Sequence, residues 1–256
     1  MKSLAIVGGA GRMGQALAQG LGARDEFQVV ALVDALEPRE LGGARYVKSL
    51  DELNDVALDV VVDFSSPAAV VTSADWCAEH GVALVVGTTG LGDEHFDALE
   101  AAAVHVGVVV APNFAIGAVL AERFAAAAAP YFDRVEIIEL HHDQKLDAPS
   151  GTAIATAHAI ATARRTAGRA PLVDPTTTLI AEGARGADVV DGVVVHSVRL
   201  PGLVAHEEIL FGSLGEGLTI RHDSHERASF LAGVAMAVSY VDAARPELLR
   251  GIGALL

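Results

Sequence analysis

Short runs of apolar, often β-branched residues alternate with stretches of helical periodicity over the first 112 residues of the chain. Strands that are apolar at nearly every position are typical of sheets covered on both faces, so the alternation predicts a parallel sheet wrapped by helices. The predicted strands are residues 4–7, 29–34, 59–64, 83–86 and 106–111. The predicted helices lie near residues 13–21, 67–80 and 93–103.

The pattern changes at Asn113, after which strands begin to follow strands. The predicted order is a helix (116–129), a strand (134–141), a helix (151–166), a Gly/Pro/Asp-rich irregular stretch (168–191), three strands (193–200, 203–211, 218–222) and a last helix (226–244). This predicts an α/β protein with an N-terminal Rossmann dinucleotide-binding domain and a C-terminal α+β domain whose mixed sheet is largely antiparallel. We expect the last helix to return to the first domain, which gives boundaries of 1–112 with 226–256, and 113–225.

Composition narrows the class of protein and of partner. The chain is 52% hydrophobic, yet it has no apolar run near the ~20 residues of a membrane span. The first strand begins at once without a secretory signal pattern, so we expect a cytoplasmic protein. The net charge of −15 argues against nucleic acid and anionic membranes as partners. The single cysteine, Cys77, lies in an apolar helical pattern that favours a buried structural thiol over a nucleophile.

A glycine-rich turn at residues 8–14 follows the first strand and opens the first helix. Such a turn lets the backbone approach a pyrophosphate, whose charge then meets the helix N-terminus. Asp34, 20 residues after Gly14, is placed to accept hydrogen bonds from ribose hydroxyls and favours NADH over NADPH. Arg12 or Arg39 can offset its charge, so dual use stays open. The predicted cofactor residues here are Gly8, Gly9, Ala10, Gly11, Arg12, Met13 and Asp34.

Besides the small and polar strand end at residues 63–67, two further segments lie at the carboxyl ends of predicted parallel strands, the edge at which open α/β sheets bind ligands. Gly87, Thr88 and Thr89 offer backbone and hydroxyl groups to a nicotinamide ribose and carboxamide. The second segment is Ala111, Pro112, Asn113 and Phe114, in which the Phe114 ring either lines the nicotinamide pocket or belongs to the core. Each segment taken alone is also compatible with an ordinary loop.

The densest polar motif runs from Glu139 to Ala153 and holds His141, His142 and Lys145. It ends in Ser150, Gly151 and Thr152, where a helix begins with Ser150 or Thr152 as its cap. The first amides of that helix can hold a substrate carboxylate beside a proton donor. A metal site is the weaker reading, because protonated Lys is a poor ligand and no spaced His or Cys set completes it. We therefore predict no metal.

At this point the chain resembles the dihydrodipicolinate reductase family, now called 4-hydroxy-tetrahydrodipicolinate reductase. The resemblance rests on segments 8–14, 87–90, 111–114, 141–152, 199–206 and 218–224, which occur in order along nearly the whole chain. It implies NADH- or NADPH-dependent reduction of a cyclic dicarboxylate imine to tetrahydrodipicolinate in lysine and diaminopimelate biosynthesis, and a homotetramer. Carried onto this sequence, it makes His141 the proton donor and Lys145 its catalytic partner, which either fixes a substrate carboxylate and stabilises developing negative charge or supplies a proton itself. The substrate-binding residues would be His142, Lys145, Ser150, Gly151 and Thr152.

Two other functions remain open from the residues themselves. An amino-acid or semialdehyde dehydrogenase would share the nucleotide domain without the His-rich motif, and product analysis would separate the two. A protein that senses dinucleotides without chemistry is the alternative from another class, because a fold does not prove catalysis. The His141 to Thr152 motif argues against a sensor, which needs neither an acid nor a carboxylate clamp.

Overall fold

A computed structural model describes all 256 residues, Met1–Leu256. Its internal contacts divide the chain into two compact units. Unit 1 comprises Met1–Ile116 and Arg227–Leu256, and unit 2 comprises Gly117–Glu226. No helix combines the length and the apolar character that crossing a bilayer would demand.

Unit 1 is built on a parallel sheet, as the run of buried apolar strands predicts. Its strands up to residue 110 are β1 (Lys2–Val7), β2 (Phe27–Val33), β3 (Arg45–Val47), β4 (Val60–Asp63), β5 (Ala83–Val86) and β6 (Gly107–Val110). They lie in the order β6-β5-β4-β1-β2-β3, and every pair is parallel. The three-residue strand β3 was not predicted, because it is too short to show a period.

The helices of unit 1 begin and end where local chemistry directs them. They are α1 (Arg12–Gly22), α2 (Pro67–His80) and α3 (Asp93–Ala103). Pro67 occupies the first turn of α2, and Gly81 ends that helix with a left-handed φ of 64° that favours glycine. Cys77 on α2 is fully buried, and burial raises the pKa of its thiol, as a structural role requires.

Unit 2 has a mixed sheet with helices packed on one face. Its strands are β7 (Arg134–His141), β8 (Ala187–Val190), β9 (Val193–Arg199), β10 (Ala205–Ser213) and β11 (Glu216–Ser224), in the order β11-β10-β7-β9-β8. Only β7 and β9 pair in parallel, so the predicted fold class is confirmed. The helices are α4 (Ile116–Ala128) and α5 (Gly151–Thr166). The stretch 168–191, predicted as irregular, in fact contains β8.

The chain then returns to unit 1, and here the predicted helix 226–244 was wrong in extent. Arg227–Phe230 forms a 3-10 turn, and the α-helix, α6 (Leu231–Tyr240), ends four residues early. A further strand, β12 (Glu247–Arg250), adds to β6 in parallel and becomes the seventh strand of the sheet. β12 follows Pro246 and is only partly buried, so it lacks the apolar run that reveals β4 and β5 from sequence.

One carboxyl group in unit 2 is buried with incomplete hydrogen bonding. Glu207 on β10 is only 5% exposed, and its Oε2 accepts a hydrogen bond from the Thr156 hydroxyl at 3.1 Å while its Oε1 is buried without a partner. Burial raises the pKa of Glu207 to about 7, with the charges of Glu122 and Glu139 adding to that effect. The folded protein therefore favours the neutral acid.

We expect Glu207→Gln to stabilise the protein at alkaline pH. Glu207 titrates near 7 when folded, against an ordinary value of 4.5, so its favourable effect on stability is complete below pH 4.5 and is lost as the pH rises through 7. The Gln side chain does not ionise, so burying it at pH 9 requires no burial of a charge. The variant should therefore have a free energy of unfolding roughly 2–3 kcal/mol higher than that of wild type at pH 9. Urea unfolding at pH 5 and pH 9 measures this, and an equal difference at both would contradict it.

Candidate active site

The glycine turn of unit 1 joins β1 to α1 in a space that side chains would block. Gly8 has a φ of +83°, and a Cβ on Gly14 would lie 2.1 Å from the Gly8 carbonyl oxygen. The N–H groups of Gly8 and Gly9 both donate to the Val33 carbonyl, at 2.9 and 3.2 Å. The turn is thereby fixed to the end of β2, and Gly11, Arg12 and Met13 stand at the start of α1, on the surface or partly so.

Asp34 follows directly after β2 and is bound to the same turn. Its Oδ2 accepts the N–H of Ala10 at 2.9 Å, and its Oδ1 accepts the N–H of Leu36 at 3.1 Å. A cavity of about 1010 Å³ within unit 1 is lined by Ala10, Arg12 and Arg39 but not by Asp34, and it extends along α1 to Phe27. A carboxylate beside a glycine turn, with two guanidinium groups nearby, is the donor and acceptor set that a dinucleotide needs. The residues therefore fit such a cofactor.

Asp63, at the end of β4, organises the next two strand ends and was given no role in the sequence analysis. Its carboxylate is fully buried and accepts hydrogen bonds from the hydroxyls of Ser65 (2.5 Å), Ser73 (2.6 Å) and Thr88 (2.8 Å). The Thr88 hydroxyl in turn accepts the N–H of Ser65 at 2.8 Å. Thr88 is buried by this network, whereas Thr89 is exposed beside it. Asp63 thus holds the predicted Gly87–Thr89 ligand loop in place.

The Ala111 to Phe114 segment continues this edge of unit 1. Ala111 donates its N–H to the Val86 carbonyl at 3.0 Å, Pro112 is exposed, and the Asn113 side-chain oxygen accepts the N–H of Ala115 at 2.8 Å. The Phe114 ring is 1% exposed and packs against Phe64, with ring centroids 5.6 Å apart. Of the two positions left open for this ring, the structure shows core packing.

In unit 2, Glu139 and His141 lie two residues apart on β7 and so share the face that the helices cover. The His141 Nδ1 and the Glu139 Oε2 are 2.6 Å apart, and the Glu139 side chain is fully buried. The other oxygen, Oε1, accepts the N–H of Ser150 at 3.1 Å. One carboxylate therefore contacts both the candidate proton donor and the residue that precedes α5.

Arg199, at the end of β9, neutralises this carboxylate. Its two terminal nitrogens donate to the two Glu139 oxygens, each at 2.7 Å, and one of them also donates to the Asp147 carbonyl at 2.8 Å. Although burial acts to raise it, the hydrogen bonds from His141 and Arg199 lower the pKa of Glu139 to about 2. The group is an anion at any pH at which the protein would work.

Lys145 and His142 lie in the loop between β7 and α5. The Lys145 Nζ donates to both carboxylate oxygens of Asp147, at 2.8 Å each, and that hydrogen bonding lowers the pKa of Asp147. The Asp147 side chain is largely exposed, whereas that of Lys145 is only 20% exposed. His142 is partly exposed, and its Nδ1 is buried without a hydrogen-bond partner. Lys145 is therefore linked to Arg199 and Glu139 through Asp147, and His142 lies in the same loop.

The start of α5 separates the three predicted carboxylate-binding residues. Ser150 is buried and caps the helix, with its hydroxyl oxygen accepting the N–H of Ala153 at 3.2 Å. Gly151 is exposed and Thr152 partly so. A Cβ on Gly151 would meet nothing within 4 Å, so packing inside the chain does not demand glycine there. Gly151 leaves room at a helix N-terminus, where an anion is favoured.

The two sets of residues differ in the chemistry they provide. Unit 1 presents a glycine turn, the Asp34 carboxylate bonded to it and a polar strand edge, and unit 2 presents an imidazole, an ammonium group and a helix start. No group of three or more His, Cys, Asp or Glu side chains is arranged to hold a metal ion. Glu139, Arg199, Asp63 and Asp147 are the contributors to which the sequence analysis assigned no role.

Comparisons with known proteins extend over both units. The family models for the N-terminus and C-terminus of dihydrodipicolinate reductase match residues 2–114 and 117–256. The 4-hydroxy-tetrahydrodipicolinate reductase of Mycolicibacterium vanbaalenii is 48% identical, covering 98% of this chain and 97% of its own. That of Cutibacterium acnes is 48% identical, covering 100% and 99%. The solved structure of dipicolinate-bound dihydrodipicolinate reductase from Paenisporosarcina sp. TG-14 has a TM-score of 0.86 and 40% identity, covering 100% of both chains.

We expect Asp63→Asn to weaken NADH binding about tenfold, equivalent to ~1.4 kcal/mol. An amide can accept hydrogen bonds on one atom only, so Ser65, Ser73 and Thr88 can no longer all be satisfied and the Gly87–Thr89 loop loses its fixed position. Fluorescence titration with NADH measures the affinity. The control is Asp59→Asn, because Asp59 bonds Ser3 at the opposite end of β4. Equal affinities for Asp63→Asn and wild type would contradict the assignment.

Proposed function

The chain belongs to the dihydrodipicolinate reductase family, an oxidoreductase family of lysine and diaminopimelate biosynthesis, and we propose that His141 is the acid of its reaction. The reaction converts 4-hydroxy-tetrahydrodipicolinate to tetrahydrodipicolinate. One equivalent of NADH or NADPH and one proton are consumed, and NAD⁺ or NADP⁺ and water are released. Loss of water yields the conjugated cyclic imine, and reduction then adds a hydride and a proton across it.

Unit 1 supplies the cofactor site of this proposal. A bound nicotinamide nucleotide provides the hydride. The glycine turn and the start of α1 hold its pyrophosphate, Asp34 accepts hydrogen bonds from its ribose, and the loop fixed by Asp63 borders the nicotinamide. Arg12 and Arg39 line the same cavity as Ala10, which supports use of NADPH beside NADH despite the Asp34 charge.

The single observation that supports His141 as acid is its hydrogen bond to a buried anion. When the hydride adds to the conjugated ring, electron density moves toward the imine and leaves an enamine whose carbon must be protonated. Nδ1 of His141 faces Glu139 at 2.6 Å, which leaves Nε2 as the nitrogen free to deliver the proton. The buried Glu139 carboxylate thereby holds the imidazole ring in one orientation, with Nε2 directed away from it.

The remaining residues of unit 2 bind the two carboxylates of the substrate. Gly151 and Thr152 hold one at the start of α5, where the helix N-terminus favours an anion. Lys145 binds the other: it already holds the Asp147 carboxylate with two 2.8 Å contacts, and a substrate carboxylate can replace that exposed side chain. His142 lies in the same loop and contacts the substrate. The Paenisporosarcina relative was solved with dipicolinate, a compact aromatic dicarboxylate of this kind.

We further propose that the chain assembles as a homotetramer through the sheet of unit 2. The helices cover one face of that sheet, and its edge strand β11 is exposed at most positions. Leu214 and Leu218 are apolar side chains exposed at this edge, 102% and 37% respectively. Light scattering coupled to size-exclusion chromatography determines the number of copies, and a monomer in solution would contradict the assembly.

The reaction itself is tested by following the oxidation of NADH and of NADPH at 340 nm with freshly generated substrate. Cofactor consumption that depends on the substrate, with tetrahydrodipicolinate as product, supports the function. Cofactor binding without consumption would instead indicate a dinucleotide sensor. Consumption with an amino acid or semialdehyde, but not with the cyclic substrate, would indicate the other dehydrogenase class.

We expect His141→Gln to lower kcat at least 100-fold, the usual contribution of a general acid. Gln can occupy the position of the imidazole near Glu139, but its amide does not act as an acid at neutral pH. Affinity for NADH should change less than threefold, because His141 lies in unit 2. Steady-state assays and NADH titration make the comparison, and near-normal turnover would remove His141 as the acid.

We expect Gly151→Ala to raise the KM for the substrate about tenfold while folding normally. The added Cβ meets no atom of the chain, so a loss of stability is not expected. It instead occupies the space at the helix start that a bound carboxylate would need. The measurements are the KM, the affinity for dipicolinate and the melting temperature. Gly202→Ala would not be a suitable control, because Gly202 has a φ of +88°, at which alanine adds strain. An unchanged KM would place the carboxylate elsewhere.

A further inference from the structure

A fully buried carboxylate outside the groups assigned to the reaction joins two parts of the site. Glu139 accepts hydrogen bonds from His141 Nδ1, from the Ser150 N–H and from both terminal nitrogens of Arg199, at 2.6 to 3.1 Å. Burying an anion in this way is unfavourable unless it is paired and fully hydrogen-bonded. Each of its oxygens accepts two donors, so the pairing is complete.

We propose that Glu139, held by Arg199, is the positioning residue that keeps the proton donor and the carboxylate-binding helix start in one arrangement. The proposal rests on the function of His141 given above. Through Oε2, Glu139 fixes the tautomer and the ring direction of His141, as the acidic member of a catalytic triad does for its histidine. Through Oε1, it fixes Ser150, the residue on which α5 begins.

Strand register explains why Arg199 is suited to this task. β9 runs parallel to β7, with Ser197 opposite Glu139 and Arg199 opposite His141. The guanidinium group reaches back along the face shared by all three and binds Glu139 with two parallel hydrogen bonds, the geometry that Arg provides and Lys does not. Its contact with the Asp147 carbonyl extends the same support to the Lys145 loop.

The charges around Glu139 determine the sign of the expected pH effects. The groups that face Glu139 come from three strands: His141 from β7, Ser197 and Arg199 from β9, and Glu207 from β10. Glu122 of α4 acts on Glu207. Lys145 and Asp147 lie in the adjoining loop. Arg199 binds both oxygens of the carboxylate. Glu139→Gln therefore removes a negative charge beside His141, whereas Arg199→Met leaves that charge without its partner cation, so the two substitutions change the local charge in opposite directions.

The test measures kcat and KM between pH 5.5 and 9 for wild type, Glu139→Gln, Arg199→Met and Arg199→Lys. We expect Glu139→Gln to lower kcat at pH 7.5 at least tenfold and to move the alkaline limb of its profile to lower pH by about one unit. Arg199→Met should move that limb to higher pH. Arg199→Lys, which keeps the charge without the paired hydrogen bonds, should restore the limb toward its wild-type position with part of the activity.

Ligand binding tests the second half of the proposal. Because Ser150 depends on the same carboxylate, Glu139→Gln should weaken dipicolinate binding in calorimetry about tenfold, with NADH affinity unchanged. His141→Gln, in contrast, should leave dipicolinate binding within threefold of wild type. A Glu139→Gln variant that loses kcat but binds dipicolinate normally would overturn the link to the helix start.

A matched control exists on the opposite face of β7. Glu136 also pairs with an arginine, Arg185, and lies 2.7 Å from His196 Nε2, in an arrangement without any predicted site residue. Glu136→Gln should keep the wild-type kcat and pH profile. Size-exclusion chromatography should show the same elution volume for this variant and wild type, so that the two are compared in the same oligomeric state. Equal losses at every pH in Glu139→Gln and Arg199→Met, with the limb unmoved, would show a purely structural role and overturn the proposal. Inactive wild-type protein would instead overturn the function on which it rests.

Discussion

Removing the Glu139 carboxylate from water requires donors that replace its hydration, and those donors come from three separate elements. His141 lies on the same strand, Arg199 on the neighbouring strand, and the Ser150 N–H at the start of α5. Since each donor is held by the same buried group, none can shift without exposing an unpaired charge at a cost of several kcal/mol. The positions of the imidazole and of the helix start follow from that constraint.

Unit 1 also contains a buried carboxylate that binds donors from three segments, at the end of a parallel strand. Asp63 is also fully buried, and it bonds hydroxyls from its own loop, from α2 and from the loop after β5. The partners there are neutral, whereas those of Glu139 include cations. The hydroxyls fix the Gly87–Thr89 loop by hydrogen bonds alone, whereas Arg199 also shares the negative charge of the carboxylate that contacts His141.

The sequence allowed most of the fold and the outline of the site to be predicted, because both depend on local patterns. The helices α2, α3 and α5 and the strand β7 have the predicted bounds, and Ser150 is one of the two expected caps. The strands β3, β8 and β12 were missed because they lack the fully buried apolar run that marks β4 and β5, which are as short as β8 and β12. The roles of Glu139 and Arg199 depend on the pairing of β7 with β9, 60 residues apart, which no local period reveals. A strand period of two did place Glu139 beside His141, and that signal was available.

Two buried glutamates occupy opposite positions on paired strands, yet their ionisation differs because their donors differ. Glu207 lies opposite Glu139 in the register of β10 and β7. Glu139 has four hydrogen bonds, two of them from the Arg199 cation, and a pKa of about 2, whereas Glu207 has one threonine hydroxyl and a pKa of about 7. Below pH 7 only one of the two is therefore charged. His141 faces a single anion whose charge Arg199 shares, and the neutral Glu207 can lie beside it without adding a second negative charge to a closed part of the sheet. The supply of donors, more than the depth of burial, determines which acid in this row acts as an anion.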